Sequence, residues 1–313
     1  MPASEELKAL LDKMPAVDQR GMFTDRYAPE QPRKDPKEAP DPAKEKERRE
    51  TAERVMREQG MDKERIDAAI AEIQKMGRDG VLGLIDLLVP PGGGDDVKPH
   101  YALHALAIAV CKIEDKEPRQ VFSEAVASQL GGTRPKGVQA YLCQELGVAG
   151  GKEVAPALGK LLTDEELCDW AIRSLVAIGD GAAEQLRAAL PNATGKCRLA
   201  IIQNLGVVKD EKSVDALKAA AADQDREIRL AALWGLANIG DPGSVDLLLK
   251  AADAEPGWER IQATKACLML AEKLLANRKD DAVKIYTRLR DTRTDPSEKY
   301  VKDAAEKAIA SAK

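Results

Sequence analysis

The sequence predicts an all-α protein, a right-handed α-α superhelix of about seven helical pairs. Three observations lead to this fold class. An apolar helical frame recurs roughly every 30 residues, aromatic residues make up only 3% of the chain, and runs of strand-favouring residues are missing. At 44% hydrophobic residues, the chain can fill a core with Ala, Leu, Ile and Val, which suits closely packed helices.

The repeat is clearest in three segments: LCDWAIRSLVAIGD (167–180), CRLAIIQNLGVVKD (197–210) and IRLAALWGLANIGD (228–241). An apolar anchor recurs at one place of the frame, at Ile73, Leu106, Leu146, Leu175, Leu205, Leu236 and Leu268. The steps are 33, 40, 29, 30, 31 and 32 residues, and the long step holds GGTRPKG (131–137). A second apolar helix follows each frame. Because such a pair cannot bury its apolar faces alone, we expect the units to stack.

Helix-ending residues fall where the first helix of each unit must stop. Glycines that tolerate the left-handed conformation are expected there, at Gly77, Gly150, Gly179 and Gly240. Asp241-Pro242 predicts an N-cap followed by proline at the first helical position, and Asp210 predicts a similar cap.

The composition divides the chain at residue 60. Residues 1–60 are expected to form an N-terminal arm with a linker rich in proline and charge, followed by a charged helix at about 44–59. Residues 61–313 hold the repeats, closed by a helix near 297–311. The arm also carries an apolar cluster that either docks on the first repeat or serves as a tethered peptide: Leu7, Leu10, Leu11, Met14, Met22, Phe23 and Tyr27.

The frame I-R-x-A-A-x-x-x-L-x-x-I-G-D at 228–241, followed by SVDLLLKAAD, resembles the HEAT-like repeat, in the short bacterial form found in phycobilisome lyases. The resemblance covers about residues 61–298 and is sharpest over 138–254. The sequence is also similar to bacterial HEAT-repeat domain proteins. Residues 271–291 resemble a tetratricopeptide helix pair. The resemblance implies an armadillo-type solenoid whose second helices line a concave surface, and it transfers no catalytic residue.

The charge balance and the cysteines indicate which class of partner and which cell compartment to expect. The chain has 48 basic and 53 acidic residues, so it lacks the basic excess of nucleic-acid binders. Five cysteines without a CxxC motif indicate buried free thiols, which predicts a cytoplasmic protein. Export is the alternative, if a leader has been removed. No run of 18 apolar residues occurs, so no membrane span is expected.

The sequence contains only weak matches to motifs of metal, phosphate-binding or catalytic sites. His100 and His104 share one helical face, but no acidic residue stands between them, so we expect no metal site. PPGGGDD (90–96) lacks the Lys-Ser/Thr of a phosphate loop and predicts a connection between helices. We therefore expect neither a cofactor nor catalysis. A lyase-like or DNA-base-processing HEAT-fold enzyme, and a self-assembling structural protein, remain alternatives.

The predicted function is a monomeric protein-interaction scaffold that binds a protein or peptide along the repeats. Alignment of the second helices predicts acid-before-base pairs on the binding face, each worth about 0.2–0.5 kcal/mol: Glu184–Arg187, Asp215–Lys218 and Asp246–Lys250. Trp234 stands where other repeats carry Arg173 or Gln203 and is predicted to be an exposed anchor. Trp170 is expected in the core and Trp258 in a loop between repeats.

Overall fold

The computed structural model describes residues 4–15 and 62–311. These residues contain sixteen α-helices and no strand, which confirms the all-α class. The handedness of the superhelix stays a prediction. The chain divides into two compact units, Met1–Val154 and Ala155–Lys313. The predicted helix at 44–59 and the apolar residues Met22, Phe23 and Tyr27 lie outside the described residues, so the boundary at residue 60 also stays a prediction.

The first unit stacks its helices in two rows. Its helices are α1 Glu5–Leu11, α2 Lys63–Lys75, α3 Gly77–Asp86, α4 Val97–Val110, α5 Glu117–Ala127 and α6 Lys136–Ala149. The first helices of the units, α2, α4 and α6, pack side by side, and the second helices α3 and α5 pack against each other. Residues 90–96 connect α3 to α4, as the sequence predicted.

Helix α1 packs against α2, α3 and α4. Its side of the contact buries four apolar residues of the predicted cluster: Leu7, Leu10, Leu11 and Met14. Ser4 caps the helix by accepting a 3.1 Å hydrogen bond from the Leu7 amide. Gly83 provides the space for Leu7, because a Cβ at that glycine would lie 2.6 Å from Leu7 Cδ2. For these four residues, the structure shows the docked alternative.

The second unit repeats the same arrangement. Its helices are α7 Ala155–Gly159, α8 Cys168–Ile178, α9 Ala182–Ala189, α10 Gly195–Val207, α11 Val214–Ala220, α12 Arg226–Ile239, α13 Val245–Ala252, α14 Trp258–Leu274, α15 Lys279–Thr292 and α16 Lys299–Ser311. First helices α8, α10, α12 and α14 pack in sequence. Second helix α11 packs against α12, while α13 packs against α14 and α15. The terminal helix predicted near 297–311 is α16, which packs against α15.

Six of the seven predicted anchors are buried in these rows: Ile73, Leu106, Leu146, Leu175, Leu205 and Leu236. The seventh, Leu268, was wrong by one residue, since it is only half-buried while Cys267 and Leu270 are buried. Helix α14 is the longest in the described part of the chain, at 17 residues, and its apolar stripe starts one position earlier than the leucine suggested.

The predicted helix-ending signals are mostly confirmed. Gly240 follows α12 with a left-handed φ of 87°, and Gly77 and Gly179 also have positive φ values. Gly150 is the exception, because the chain leaves α6 in an extended conformation there. Asp241 and Asp210 each precede a short 3₁₀ turn that leads into the next second helix. No helix among the described residues is both long and apolar enough to cross a bilayer.

Candidate functional site

The second helices of the second unit carry their charges in a different pattern from the predicted one. Within the described residues, Arg187 does not pair with Glu184 but with Asp210, which precedes the second helix of the next repeat. Lys218 likewise pairs with Asp241 rather than Asp215, with Nζ 2.9 Å from Oδ2. The predicted pairing within each helix was therefore wrong, because a carboxylate of the following repeat lies closer to each cation.

These two contacts form inter-repeat bridges, in which a cation of one second helix reaches the aspartate before the next. The side chains of Asp210 and Asp241 are 8% and 19% exposed, so the bridges are partly desolvated. Burial acts to raise the pKa of Asp241, but hydrogen bonds from Ser244 and Lys218 outweigh it and hold that pKa below its usual value. Arg187 and Lys218 thus link repeats, whereas Glu184 and Asp215 are left exposed.

The third predicted pair lies in a charged cleft between α13 and α15, of about 750 Å³. We define the charged cleft by Asp246, Lys250, Asp253, Lys284, Arg288 and Asp291. Asp246 pairs with Lys284 at 2.6 Å and Asp253 with Arg288 at 2.7 Å, so the expected Asp246–Lys250 pair was also wrong. Lys250 is exposed on the rim. Most charged side chains of this cleft are therefore paired with an opposite charge on its facing wall.

The first-helix side of the same unit carries a groove of about 720 Å³ that crosses α10, α12 and α14. We call it the tryptophan groove and define it by Gln203, Val207, Trp234, Trp258, Gln262 and Met269. Trp234 is 38% exposed and Trp258 is 55% exposed. The groove also contains one carboxylate, Glu227, and one ammonium group, Lys265, so its formal charges balance.

Trp234 is positioned by a close approach of α10 and α12. Gly206 faces Gly235, and a Cβ at Gly206 would lie 2.6 Å from Gly235 Cα and 2.9 Å from the Trp234 ring. The Asn238 amide also donates a 2.9 Å hydrogen bond to the Gly206 carbonyl. The indole therefore rests on the backbone of α10, which explains its partial burial and fixes its orientation.

Trp258 is positioned by the start of α14. Arg229 of α12 donates hydrogen bonds to the Glu259 carboxylate, at 2.8 Å from Nε and 2.5 Å from Nη2. The same guanidinium donates to the carbonyls of Asp223 and Gln224 in the loop before its own helix. Because Glu259 directly follows Trp258, this network fixes the start of α14, from which the second indole lines the groove.

The sequence predicted Trp234 as an anchor but did not predict its partner. Trp258 was assigned to a loop, yet it is the first residue of α14 and lines the groove. The repeat frame could have identified Trp258, because stacking of the repeats places the start of each first helix next to the first helix of the preceding repeat. Trp170 is not a core residue as expected, since it is half-buried and Arg173 stacks over its ring at 5.5 Å.

The two histidines of the first unit have separate partners. His100 Nδ1 lies 3.0 Å from Asp96 Oδ2, and the Tyr141 hydroxyl donates to the His100 carbonyl. His104 Nδ1 lies 3.1 Å from Glu145 Oε1, and the hydrogen bond to this carboxylate raises the pKa of His104. In residues 4–15 and 62–311, no group of three or more His, Cys, Asp and Glu side chains is arranged to hold a metal ion.

Comparison with known proteins identifies the repeats of the second unit. The family of HEAT repeats matches residues 183–269. Among solved structures, the chain is similar to the complex of CpcE and CpcF of phycocyanin lyase from Nostoc sp. PCC7120, with 16% identity and a TM-score of 0.38. That likeness covers 74% of this chain and 94% of the other. No curated protein matches the chain.

The family match includes α10 to α13 and most of α14, so it spans the helices that build the tryptophan groove. The same alternation of first and second helices occurs in each of the two units. The chain is therefore an all-α protein of stacked helical pairs, and its second unit contains HEAT repeats.

Proposed function

We propose that this protein is a non-catalytic interaction scaffold and that its second unit binds a protein or peptide segment in the tryptophan groove. The observation that carries the proposal is the pair of partly exposed indoles, Trp234 and Trp258, on neighbouring first helices of one groove. Tryptophan is enriched among the residues that dominate binding energy at protein interfaces.

The polar groups of the groove suit a peptide ligand. Gln203 and Gln262 each offer an amide that can donate to a backbone carbonyl and accept from a backbone N–H. The balanced charges of Glu227 and Lys265 provide no track for phosphates. A segment that inserts an apolar side chain between the indoles and pairs its backbone with the amides matches this chemistry.

The predicted second-helix residues remain the second candidate surface. Glu184, Asp215 and Lys250 are exposed and accessible to a partner. Arg187 and Lys218 are engaged in the inter-repeat bridges, and Asp246 is paired across the charged cleft. A partner on that side has to compete with contacts that already exist, which favours the tryptophan groove.

The test compares the two sides in one capture experiment. The full chain, a Trp234→Ala/Trp258→Ala variant and an Asp246→Ala/Lys250→Ala variant are immobilised, and the bound proteins are quantified by mass spectrometry. We expect one partner to bind the wild type and the charge variant, and to bind the tryptophan variant roughly 30-fold more weakly, which corresponds to about 2 kcal/mol.

Circular dichroism checks that each variant is folded. Loss of the partner from the charge variant alone would move the site to the second-helix side. A wild-type chain that retains no protein would contradict the scaffold function itself.

A further inference from the structure

Two buried cysteines meet between consecutive first helices of the second unit. Cys168 is the first residue of α8 and Cys197 the third residue of α10, and these helices pack against each other. The two sulfur atoms lie 2.6 Å apart, although the residues are 29 positions apart in sequence. This separation is only roughly 0.5 Å longer than a covalent sulfur–sulfur bond.

The surroundings hold the two helix starts together. Next to the thiols, Lys196 Nζ lies 3.7 Å from Asp169 Oδ2, which links the same two turns on the solvent side. The cysteines are 0% and 1% exposed, so the sulfur atoms contact protein rather than water. In the next repeat the place that Cys197 takes in the frame is held by Ile228, which is also buried, while Cys168 stands one position later in its own frame. The packing of α8 against α10 therefore brings the two thiols together in the interior of the unit.

We infer that Cys168 and Cys197 are an inter-repeat cross-linking site, which closes to a disulfide when the chain folds in the presence of a small-molecule disulfide. In the reduced chain both thiols are free, and the cross-link gives the protein a second covalent form.

The reaction is a thiol–disulfide exchange in two steps. One protein thiol loses its proton, and the thiolate attacks a sulfur of oxidised glutathione. A mixed disulfide forms and one glutathione thiolate leaves. The second protein thiolate then attacks the protein sulfur of the mixed disulfide and releases the second glutathione. The protein thus loses two protons and two electrons, and one oxidised glutathione becomes two reduced molecules.

Folding controls when the exchange takes place. In the folded chain both sulfurs are shielded, and burial raises the pKa of the Cys168 thiol to about 12, so few thiolates are present for attack. During folding the mixed disulfide can form while the helices are apart, and packing of α8 on α10 then delivers the second thiol. Cross-linking is expected to be fast during refolding and slow in the folded, reduced protein.

The experiment uses the full chain with Cys111→Ser, because Cys111 is exposed and would form unrelated adducts. The reduced chain is refolded with oxidised glutathione, remaining thiols are alkylated, and disulfide-linked peptides are mapped by mass spectrometry. We expect a peptide that joins Cys168 to Cys197, and a melting temperature about 5–10 °C above that of the reduced chain.

Two variants make the result specific. Cys267→Ala removes another buried thiol and is expected to leave the cross-link intact, whereas Cys197→Ala is expected to abolish it. The cross-link itself is mapped in the chain that retains both Cys168 and Cys197, so this result does not depend on whether either variant folds. The inference is overturned if Cys168 and Cys197 are alkylated as fully as Cys267 after oxidative refolding, or if each carries glutathione instead.

Discussion

The two sides of the second unit are built from the same repeats but use opposite means of contact. On the second-helix side, charged groups meet across repeats, as in Arg187–Asp210 and Lys284–Asp246. On the first-helix side, Gly206 and Gly235 bring two helices together and two indoles remain partly exposed above them. One side satisfies its polar groups internally, while the other leaves apolar surface accessible.

The difference indicates where a partner gains the most. Binding on the charged side exchanges existing ion pairs for new ones, and exposed ion pairs contribute little. Binding in the tryptophan groove removes apolar area from water at about 25 cal/mol per Å² without breaking a contact. A partner is thus expected to gain more on the side that leaves apolar surface accessible, and three changes test the comparison of the two sides.

The largest expected effect is on the glycine contact of the first-helix side. Gly206→Ala is expected to destabilise the chain by about 1–3 kcal/mol, because the new Cβ would meet the Gly235 backbone. Gly235→Ala is the matched control, since its Cβ would lie 3.4 Å from the nearest atom and alanine favours the helix. Urea unfolding of both variants measures the difference. Equal losses would show that the glycines do not set the helix separation.

The next effect compares ion pairs of different exposure on the second-helix side. Arg187→Ala is expected to cost about 1–2 kcal/mol, because it leaves the mostly buried Asp210 without its cation. Lys284→Ala is expected to cost less than about 0.5 kcal/mol, since the Asp246 side chain is 83% exposed. Thermal unfolding of the two variants provides the measurement. A Lys284→Ala loss as large as that of Arg187→Ala would contradict the ranking by burial.

The smallest effect is a pH dependence carried by Asp241. Its folded pKa lies below the ordinary value of 3.8, so its contribution to stability is present above that value and is lost as the pH falls through the folded pKa. The stability advantage of the wild type over Asp241→Asn should therefore be constant near neutral pH and shrink in acid. Urea unfolding across this range measures it. In a Lys218→Met background the stability advantage of Asp241 over asparagine should be smaller, because Lys218 is one cause of the lowered Asp241 pKa. An unchanged pH profile of stability would show that the Lys218–Asp241 bridge does not contribute.

The fold was largely predictable because its signal is local and repeated. Anchors such as Leu175, Leu205 and Leu236 lie at one place of a helical frame, and that place is buried in these three repeats. The frame failed at Leu268, where a longer helix and a cysteine hid the register. Helix-ending glycines such as Gly240 were predicted for the same reason, since backbone conformation depends on a few neighbouring residues.

The candidate site was predictable only in part, because it depends on which residues of different repeats meet. Trp234 was identified from its odd place in the frame, whereas the contribution of Trp258 required the packing of α14 beside α12. The prediction of ion pairs within single helices was wrong for a similar reason. The sequence fits a pair within one helix, but Asp210 and Asp241, which end their frames, are brought nearer by stacking.

The docked helix α1 has a consequence for how far such a protein can grow. A stack of repeats ends in an apolar surface that fits another stack, and an unclosed contact of this kind leads to open filaments. Leu7, Leu10, Leu11 and Met14 cover part of that surface on α2, α3 and α4. We therefore expect that removal of residues 4–15 would expose this surface and increase self-association of the chain.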